Sequence, residues 1–362
     1  MSLNKIINNK SEKFLREYIN NPSPTGFESG GQKMWLDYIL PYIDEHFVDT
    51  YGTVVGVINP EAKYKVVIEA HADEISWFVH YITKDGYIYL RRNGGSDHQI
   101  APSKRVNIHT KKGMVKAVFG WPAIHTRSAS TEKSPKLDNI FLDCGCASKE
   151  EVEELGIHVG CVVTYEDEFM ILNDKYYVGR ALDNRIGGFM IAEVARMLYE
   201  NKIKLPFGLY ITNSVQEEVG LRGAQMIVEQ IKPNVAIVTD VCHDTGTPML
   251  NKIKQGDTKC GGGPVLTYGP AVQNNLLELI INSADKNNIP FQRAAASRAT
   301  GTDTDAFAYA NGGVASSLIS LALRYMHTTV ESVHKDDVEN VIRLIYESLQ
   351  KIKNNHDFRY LK

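Results

Sequence analysis

Basic charge is not in excess in this chain, and no apolar run is long enough to cross a membrane. Its 40 lysines and arginines stand against 43 aspartates and glutamates, a formal net charge of −3. Neutralising a phosphate backbone needs a positive surface, so the balance argues against nucleic-acid binding. A membrane helix needs about 20 consecutive apolar residues, and the N-terminus shows no apolar signal core; no membrane association and a cytoplasmic location are expected. Cysteine is scarce, with five in 362 residues, at Cys144, Cys146, Cys161, Cys242 and Cys260. An odd number spread through so long a chain does not make a disulfide framework, and Cys144-Gly145-Cys146 is too tight for a zinc ribbon, so reduced thiols are expected. Internal repeats, low-complexity tracts and blocks of like charge are missing as well, which sets solenoid architectures aside.

What is present is an ordinary globular composition, 43% hydrophobic and 23% charged, in a chain long enough for a large core and more than one domain. An apolar stripe at helical spacing (Ile6, Ile7, Phe14, Leu15, Ile19) predicts a helix over 4–20, ended by Asn21-Pro22-Ser23-Pro24-Thr25-Gly26. A second helix is predicted over 28–40, and strands over 53–58 and 66–70. From 74 to 168 the texture changes to short β-type runs, at 77–82, 87–91, 105–110, 114–119, 140–143 and 159–165. Lys111-Lys112-Gly113 reads as a hairpin turn, 126–136 as a polar loop, and Ser148 with Glu151 and Gly156 as the ends of one short helix. Beyond 170 helices and strands alternate: helices over 184–199, 221–230, 274–287 and 336–353, strands over 206–212, 235–240, 265–267 and 314–318. That pattern predicts an α/β sheet covered by helices and interrupted by a smaller, mostly β insertion, with segments 1–73, 74–168 and 169–362.

Chemistry concentrates at the ends of the predicted strands. Strand 206–212 leads into Ser214-Val215-Gln216-Glu217-Glu218-Val219-Gly220, strand 66–70 into His71-Ala72-Asp73, and strand 235–239 into Asp240. In open α/β sheets ligands bind beyond the carboxyl ends of the strands. Paired carboxylates there are costly unless a positive charge lies between them. His71 and Asp73, two apart on extended backbone, share a face, so one can ligate a metal while the other orients a ligand. Glu217 and Glu218 point differently, so one can ligate while the other activates water as general base. Asp183, in Ala181-Leu182-Asp183-Asn184-Arg185, and His327, in Tyr325-Met326-His327, complete a set suited to a two-metal hydrolase.

Each residue also has a plainer role open to it. Asp183 suits the N-cap of the helix that follows, and His71 a hydrogen-bonded structural position. Glu217 and Glu218 suit a solvated pair at a helix start. The remaining histidines read as structural or surface residues, with His243 the one expected nearest the site. Co-occurrence in order, each in a matching local context, favours the metal reading.

Five segments carry a resemblance: His71-Ala72-Asp73-Glu74-Ile75, Ala181-Leu182-Asp183-Asn184-Arg185, Glu217-Glu218-Val219-Gly220-Leu221-Arg222-Gly223, Thr239-Asp240-Val241 and Met326-His327-Thr328. Together with Ser23-Pro24-Thr25-Gly26 and Gly301-Thr302-Asp303, they resemble the glutamyl aminopeptidase and tetrahedral aminopeptidase family of dinuclear metallopeptidases, over nearly the whole chain. The resemblance implies a peptidase domain with a mixed sheet, split by a β domain used in dimerisation. It implies that Asp183 bridges two divalent ions, zinc or cobalt. His71 and Asp240 then complete one site, Glu218 and His327 the other; Glu217 is the general base and Asp73 orients His71. It implies short peptides as substrates, trimmed from the N-terminus, and self-association up to a tetrahedral dodecamer.

The pattern is not matched everywhere. Ser76 stands where the family usually has glycine, and Cys144-Gly145-Cys146 and Arg298-Ala299-Thr300 are unlike the common form. Arg298 is a candidate reader of acidic substrate side chains or, more plainly, a surface arginine. Alternatives of the same fold are a deacylase, a carboxypeptidase, which needs a cation for the substrate carboxylate, and a non-catalytic assembly or binding protein. Glycoside hydrolysis, a label some relatives have carried, calls for a carboxylate pair spanning a sugar instead.

Overall fold

In a computed structural model, residues 6–128, 130 and 132–361 are described. Their strands form an 11-stranded mixed sheet and a closed six-stranded barrel. The sheet is built around four parallel neighbours, Gly208–Ser214, Lys65–His71, Val235–His243 and Ala315–Arg324. Strands Val54–Ile58 and Glu45–Val48 extend it on one side. Glu331–His334, Tyr176–Gly179 and Met170–Leu172 extend it on the other, all antiparallel. Val265–Tyr268 and Gln292–Ala295 branch from Ala315–Arg324. Val66, Val67 and Ile68, and residues Val235, Ala236, Ile237 and Val238, are completely buried, as expected of parallel strands covered on both faces.

Helix Leu182–Glu200 is buried on every side from Leu182 to Leu198. It lies on strand Lys65–His71, and helices Asn9–Asn20, Ser29–Ile39 and Lys335–Leu349 pack on it. A helix so enclosed must satisfy its own charges, and Glu193 accepts from Ser11 Oγ (2.8 Å) and Arg196 Nη2 (2.7 Å).

The first helix is shorter than predicted, Asn9–Asn20, because the Asn8 side chain accepts from Ser11 N–H and sets its start. Residues 4 and 5 of the predicted span lie outside the described residues, as do 129 and 131 of the polar loop. Across that loop Arg127 and Glu132 pair at 2.6 Å. Sequence reading missed the sheet strands Glu45–Val48, Met170–Leu172, Tyr176–Gly179, Gln292–Ala295 and Glu331–His334. They are three or four residues long, too short to show a period of two. The last central strand runs to Arg324, well past the predicted 318. The Ser148 cap is as expected: Ser148 Oγ accepts from Glu151 N–H while Glu151 Oε2 accepts from Ala147 N–H.

The barrel strands are Ser76–Ile82, Ile88–Asn93, Arg105–Thr110, Gly113–Gly120, Phe141–Asp143 and Val162–Tyr165. They enclose a core of their own, around Trp77, Ile88, Val106, Phe119 and Val163. Closure pairs the strand edges within the chain. The barrel therefore protects its own strand edges without a partner.

The segment by which the chain leaves the sheet for the barrel is clamped to the segment that enters the buried helix. Glu74 forms an ion pair with Arg180 and lies 3.8 Å from Arg185 Nη1, all three side chains at most 6% exposed. Ser23 N–H donates to Glu74 Oε1 at 2.7 Å. Removing one partner of a buried ion pair leaves the other charge uncompensated. Glu74→Ala is expected to cost about 3–5 kcal/mol, read as a lower guanidinium midpoint of the metal-stripped protein.

Candidate metal centre

The parallel strands end at one edge, and the candidate residues meet there. Ser214 pairs with His71 in register, so the segment after Gly208–Ser214 emerges beside the imidazole. Asp240 lies on the next strand along, near the end of Val235–His243. His327 follows Ala315–Arg324 in a turn with φ +61°. Asp183 enters from the head of the buried helix, where its backbone departs from helical values (φ −79°, ψ 109°). It is not an N-cap: no side-chain capping bond forms there, and the Asp183 N–H instead donates to Glu331 Oε2 at 3.0 Å. Glu217 and Glu218 occupy a 3₁₀ turn, Glu217–Val219, and are 11% and 6% exposed, not a solvated pair.

Asp183 faces two histidines with its two oxygens. Oδ1 lies 3.2 Å from His71 Nε2 and Oδ2 lies 3.4 Å from His327 Nε2. His71 Nε2 is also 3.9 Å from Asp240 Oδ1 and 3.8 Å from Glu217 Oε2, and His327 Nε2 is 3.3 Å from Glu218 Oε1. Two groups result, His71/Asp183/Asp240 and Asp183/Glu218/His327, each with ligand atoms within 4.8 Å of one another and with Asp183 common to both.

Asp73 lies beneath, completely buried. Its Oδ1 is 3.3 Å from His71 Nδ1. It accepts from the N–H groups of Glu217 (3.0 Å) and Glu218 (3.2 Å) and from Thr25 Oγ1 (2.9 Å). One carboxylate thus fixes both an imidazole and the turn carrying the paired glutamates. Glu331, which sequence reasoning missed, does the corresponding work on the other side, accepting from Asp183 N–H and His327 N–H (2.7 Å). Its only signal in the sequence is a carboxylate four residues after a candidate histidine.

The electrostatics show what such crowding demands. Burial, joined by the neighbouring carboxylates and opposed by His71, pushes Glu217 up to about 10, and burial holds Asp240 well above the usual carboxylate range. Burial works to lower His71 and His327, but the facing carboxylates outweigh it; His71 is raised well above its ordinary value and His327 to about 11. Burial acts to raise Asp183, yet hydrogen bonds from His327 and His71 hold it below the usual range. So dense a set of buried carboxylates calls for compensating positive charge. Divalent cations fit the same positions. Glu218 Oε1 is buried and has no aligned hydrogen-bond donor although His327 Nε2 is 3.3 Å away, the relation expected of two ligands converging on one ion. Nitrogen and carboxylate donors together suit zinc, cobalt or manganese.

A cavity of about 680 Å³ opens over the cluster. Besides six of the candidates it is lined by Leu221, His243, Ala299, Thr300, Gly301 and Met326, among others. Asp73 is not among the lining residues. Asp303 is buried behind the wall, where burial and the neighbouring Glu69 raise it well above its ordinary value. Arg298 is exposed and does not line the cavity. Among the described residues no helix is long and apolar enough to cross a membrane.

A mixed sheet with paired nitrogen and carboxylate clusters at the carboxyl ends of its parallel strands marks the fold of a metal-dependent hydrolase. Comparison with known proteins narrows the class: the chain belongs to the M42 glutamyl aminopeptidase family, whose pattern matches residues 52–344. It is an aminopeptidase, a hydrolase that works with divalent metal ions. The lysyl aminopeptidase of Pyrococcus furiosus is 32% identical, over 94% of this chain and 97% of that protein. The crystal structure of a TET aminopeptidase from a marine-sediment Thaumarchaeota archaeon superposes with a TM-score of 0.90 at 31% identity, covering 95% of this chain and 97% of the other. The TET1 peptidase of Pyrococcus horikoshii, described as able to assemble into a tetrahedron or a large octahedral shell, superposes with a TM-score of 0.82 at 26% identity, covering 94% and 100%.

Proposed function

We propose that the two clusters hold one divalent ion each, that Asp183 bridges them, and that Glu217 is the general base in removal of N-terminal residues from short peptides. The observation that carries this reading is the pair of Asp183 oxygens facing two histidines, one at the end of strand Lys65–His71 and one in the turn after Ala315–Arg324, with Glu217 at 3.8 Å from His71 and outside both ligand groups. His71 and Asp240 would hold one ion, Glu218 and His327 the other. Bound there, the ions supply Lewis acidity to the scissile carbonyl and to the attacking water. Glu217, held by its backbone to Asp73, takes the proton of that water and delivers it to the leaving amine. Asp73 keeps the His71 ring in place. Zinc or cobalt is the proposed metal.

The cavity also bears on substrate choice. Among its described lining residues there is no lysine or arginine, while Asp305 joins the carboxylates of the cluster. A carboxypeptidase needs a cation to receive the substrate carboxylate, so the lining favours the aminopeptidase alternative. The same lining disfavours acidic N-terminal side chains. On a panel of aminoacyl p-nitroanilides, kcat/KM for leucyl and lysyl substrates is expected to exceed that for glutamyl by at least about tenfold, one unsatisfied charge being worth 1.4 kcal/mol or more. Cleavage is expected to stop with chelator, return with zinc or cobalt, and require a free amine. Turnover of an N-acetylated control would replace this reading with a deacylase or endopeptidase.

The division into 1–73, 74–168 and 169–362 is supported by the barrel strands all falling between Ser76 and Tyr165 around a separate core. Self-association through the barrel is supported by its exposed rings, Tyr81 at 57% and Tyr87 at 43%, and by the assembly described for the Pyrococcus horikoshii relative. A tetrahedral dodecamer and a cytoplasmic location complete the proposal.

A further inference from the structure

One barrel turn reaches the metal centre. Asn93, at the end of Ile88–Asn93, is followed by Gly94, Gly95 and Ser96, and the two glycines press on the two residues that distinguish the second ligand group. A Cβ on Gly95 would stand 2.4 Å from His327 Nδ1 and 2.6 Å from Cε1. A Cβ on Gly94, where φ is +75°, would stand 3.2 Å from Glu218 Cβ. Contacts below 3.0 Å force one partner to move, and here the partner is a ring whose other nitrogen faces Asp183 and Glu218.

The turn is itself pinned at both ends to a single residue. Asn93 Nδ2 donates to Ser76 Oγ (2.8 Å) and to Thr25 O (2.8 Å), and Ser96 Oγ donates to Ser76 O (2.6 Å). Asn93, Ser96 and Ser76 are all buried. The Ser76 hydroxyl is what receives Asn93.

We infer that the turn from Asn93 to Ser96, pinned by Ser76, is a positioning element for the second metal, setting the His327 ring and the Glu218 side chain from the barrel side. This rests on His327 and Glu218 being ligands. The barrel then contributes to the site without supplying a ligand, and Gly95 acts through His327. Displacing groups that orient a ligand lowers metal affinity by about 10–100-fold.

Titration of metal-stripped protein with Co²⁺, followed by calorimetry and by the visible absorption of bound cobalt, tests this in wild type, His327→Ala, Gly95→Ala, Ser76→Ala and the Gly95→Ala/His327→Ala double variant. The binding event weakened by His327→Ala identifies the second site. Gly95→Ala is expected to weaken that same event by about 10–100-fold and shift its absorption, leaving the other event unchanged. Ser76→Ala, which keeps the turn free of steric conflict, is expected to weaken it about tenfold. The double variant is expected to bind as His327→Ala alone, since the two changes act through one ring. Wild-type binding in both Gly95→Ala and Ser76→Ala would overturn the inference, and so would equal weakening of both events. If His327→Ala leaves both events intact, the ligand assignment itself fails, and the inference with it.

Discussion

Glu217→Gln is expected to lower kcat by a factor of about 10²–10⁴ while both metal ions stay bound. Glutamine has nearly the same shape but cannot take a proton from water. The substitution leaves the backbone bond from residue 217 to Asp73 in place, so the neighbouring Glu218 keeps its position. Glu217 lies outside both ligand groups. Elemental analysis of the purified variant separates base from ligand: two ions with little turnover support the base, whereas loss of an ion together with turnover would make Glu217 a ligand. An unchanged kcat would require another residue to move the proton.

The second large effect is expected at Asp183. Every other candidate ligand belongs to one group, and Asp183 belongs to both. Asp183→Ala should therefore release both ions and reduce turnover to background. Its N–H bond to Glu331 is a backbone contact and survives the change. The variant should also lose metal-dependent stabilisation: a ligand at 100 times its dissociation constant contributes about 2.7 kcal/mol per site. Thermal unfolding with and without added zinc is the measurement. A variant whose midpoint still rises with zinc as in wild type would show that the two sites do not depend on a shared bridge.

His71 and Asp240 were legible because each follows a continuous apolar run, and strands of that kind end where an α/β sheet binds its ligands. Val66-Val67-Ile68 before His71 and Val235-Ala236-Ile237-Val238 before Asp240 give that signal within a few residues of the chemistry. The supporting groups gave none. Glu331 works by accepting from the backbones of Asp183 and His327, the first of them 148 residues away. Glu74 acquires its partner from Arg180, 106 residues on, between strand Tyr176–Gly179 and the buried helix. Gly94 and Gly95 look like an ordinary turn until the fold sets them against Glu218 and His327. Asp183 was open to a capping role because local sequence does not encode its non-helical ψ of 109°. Contacts of this kind are properties of the assembled sheet, and no local window contains them.

The strand order also dictates the sequence of events as the chain leaves the ribosome. Strands Glu45–Val48, Val54–Ile58 and Lys65–His71 are made first, yet the last two do not pair with each other; Gly208–Ser214 lies between them. The barrel, whose strands end at Tyr165, can close while the first piece of the sheet still waits for its middle strand. His71 is synthesised early and His327 among the last forty residues. Between the end of the barrel at Tyr165 and the arrival of Gly208–Ser214, a nascent chain thus carries a finished small domain and an open sheet edge, the condition in which chaperone capture competes with folding. Long-range pairing of this kind is slow to form, and a chain truncated before His327 would carry the barrel and the first histidine with no second cluster to meet it.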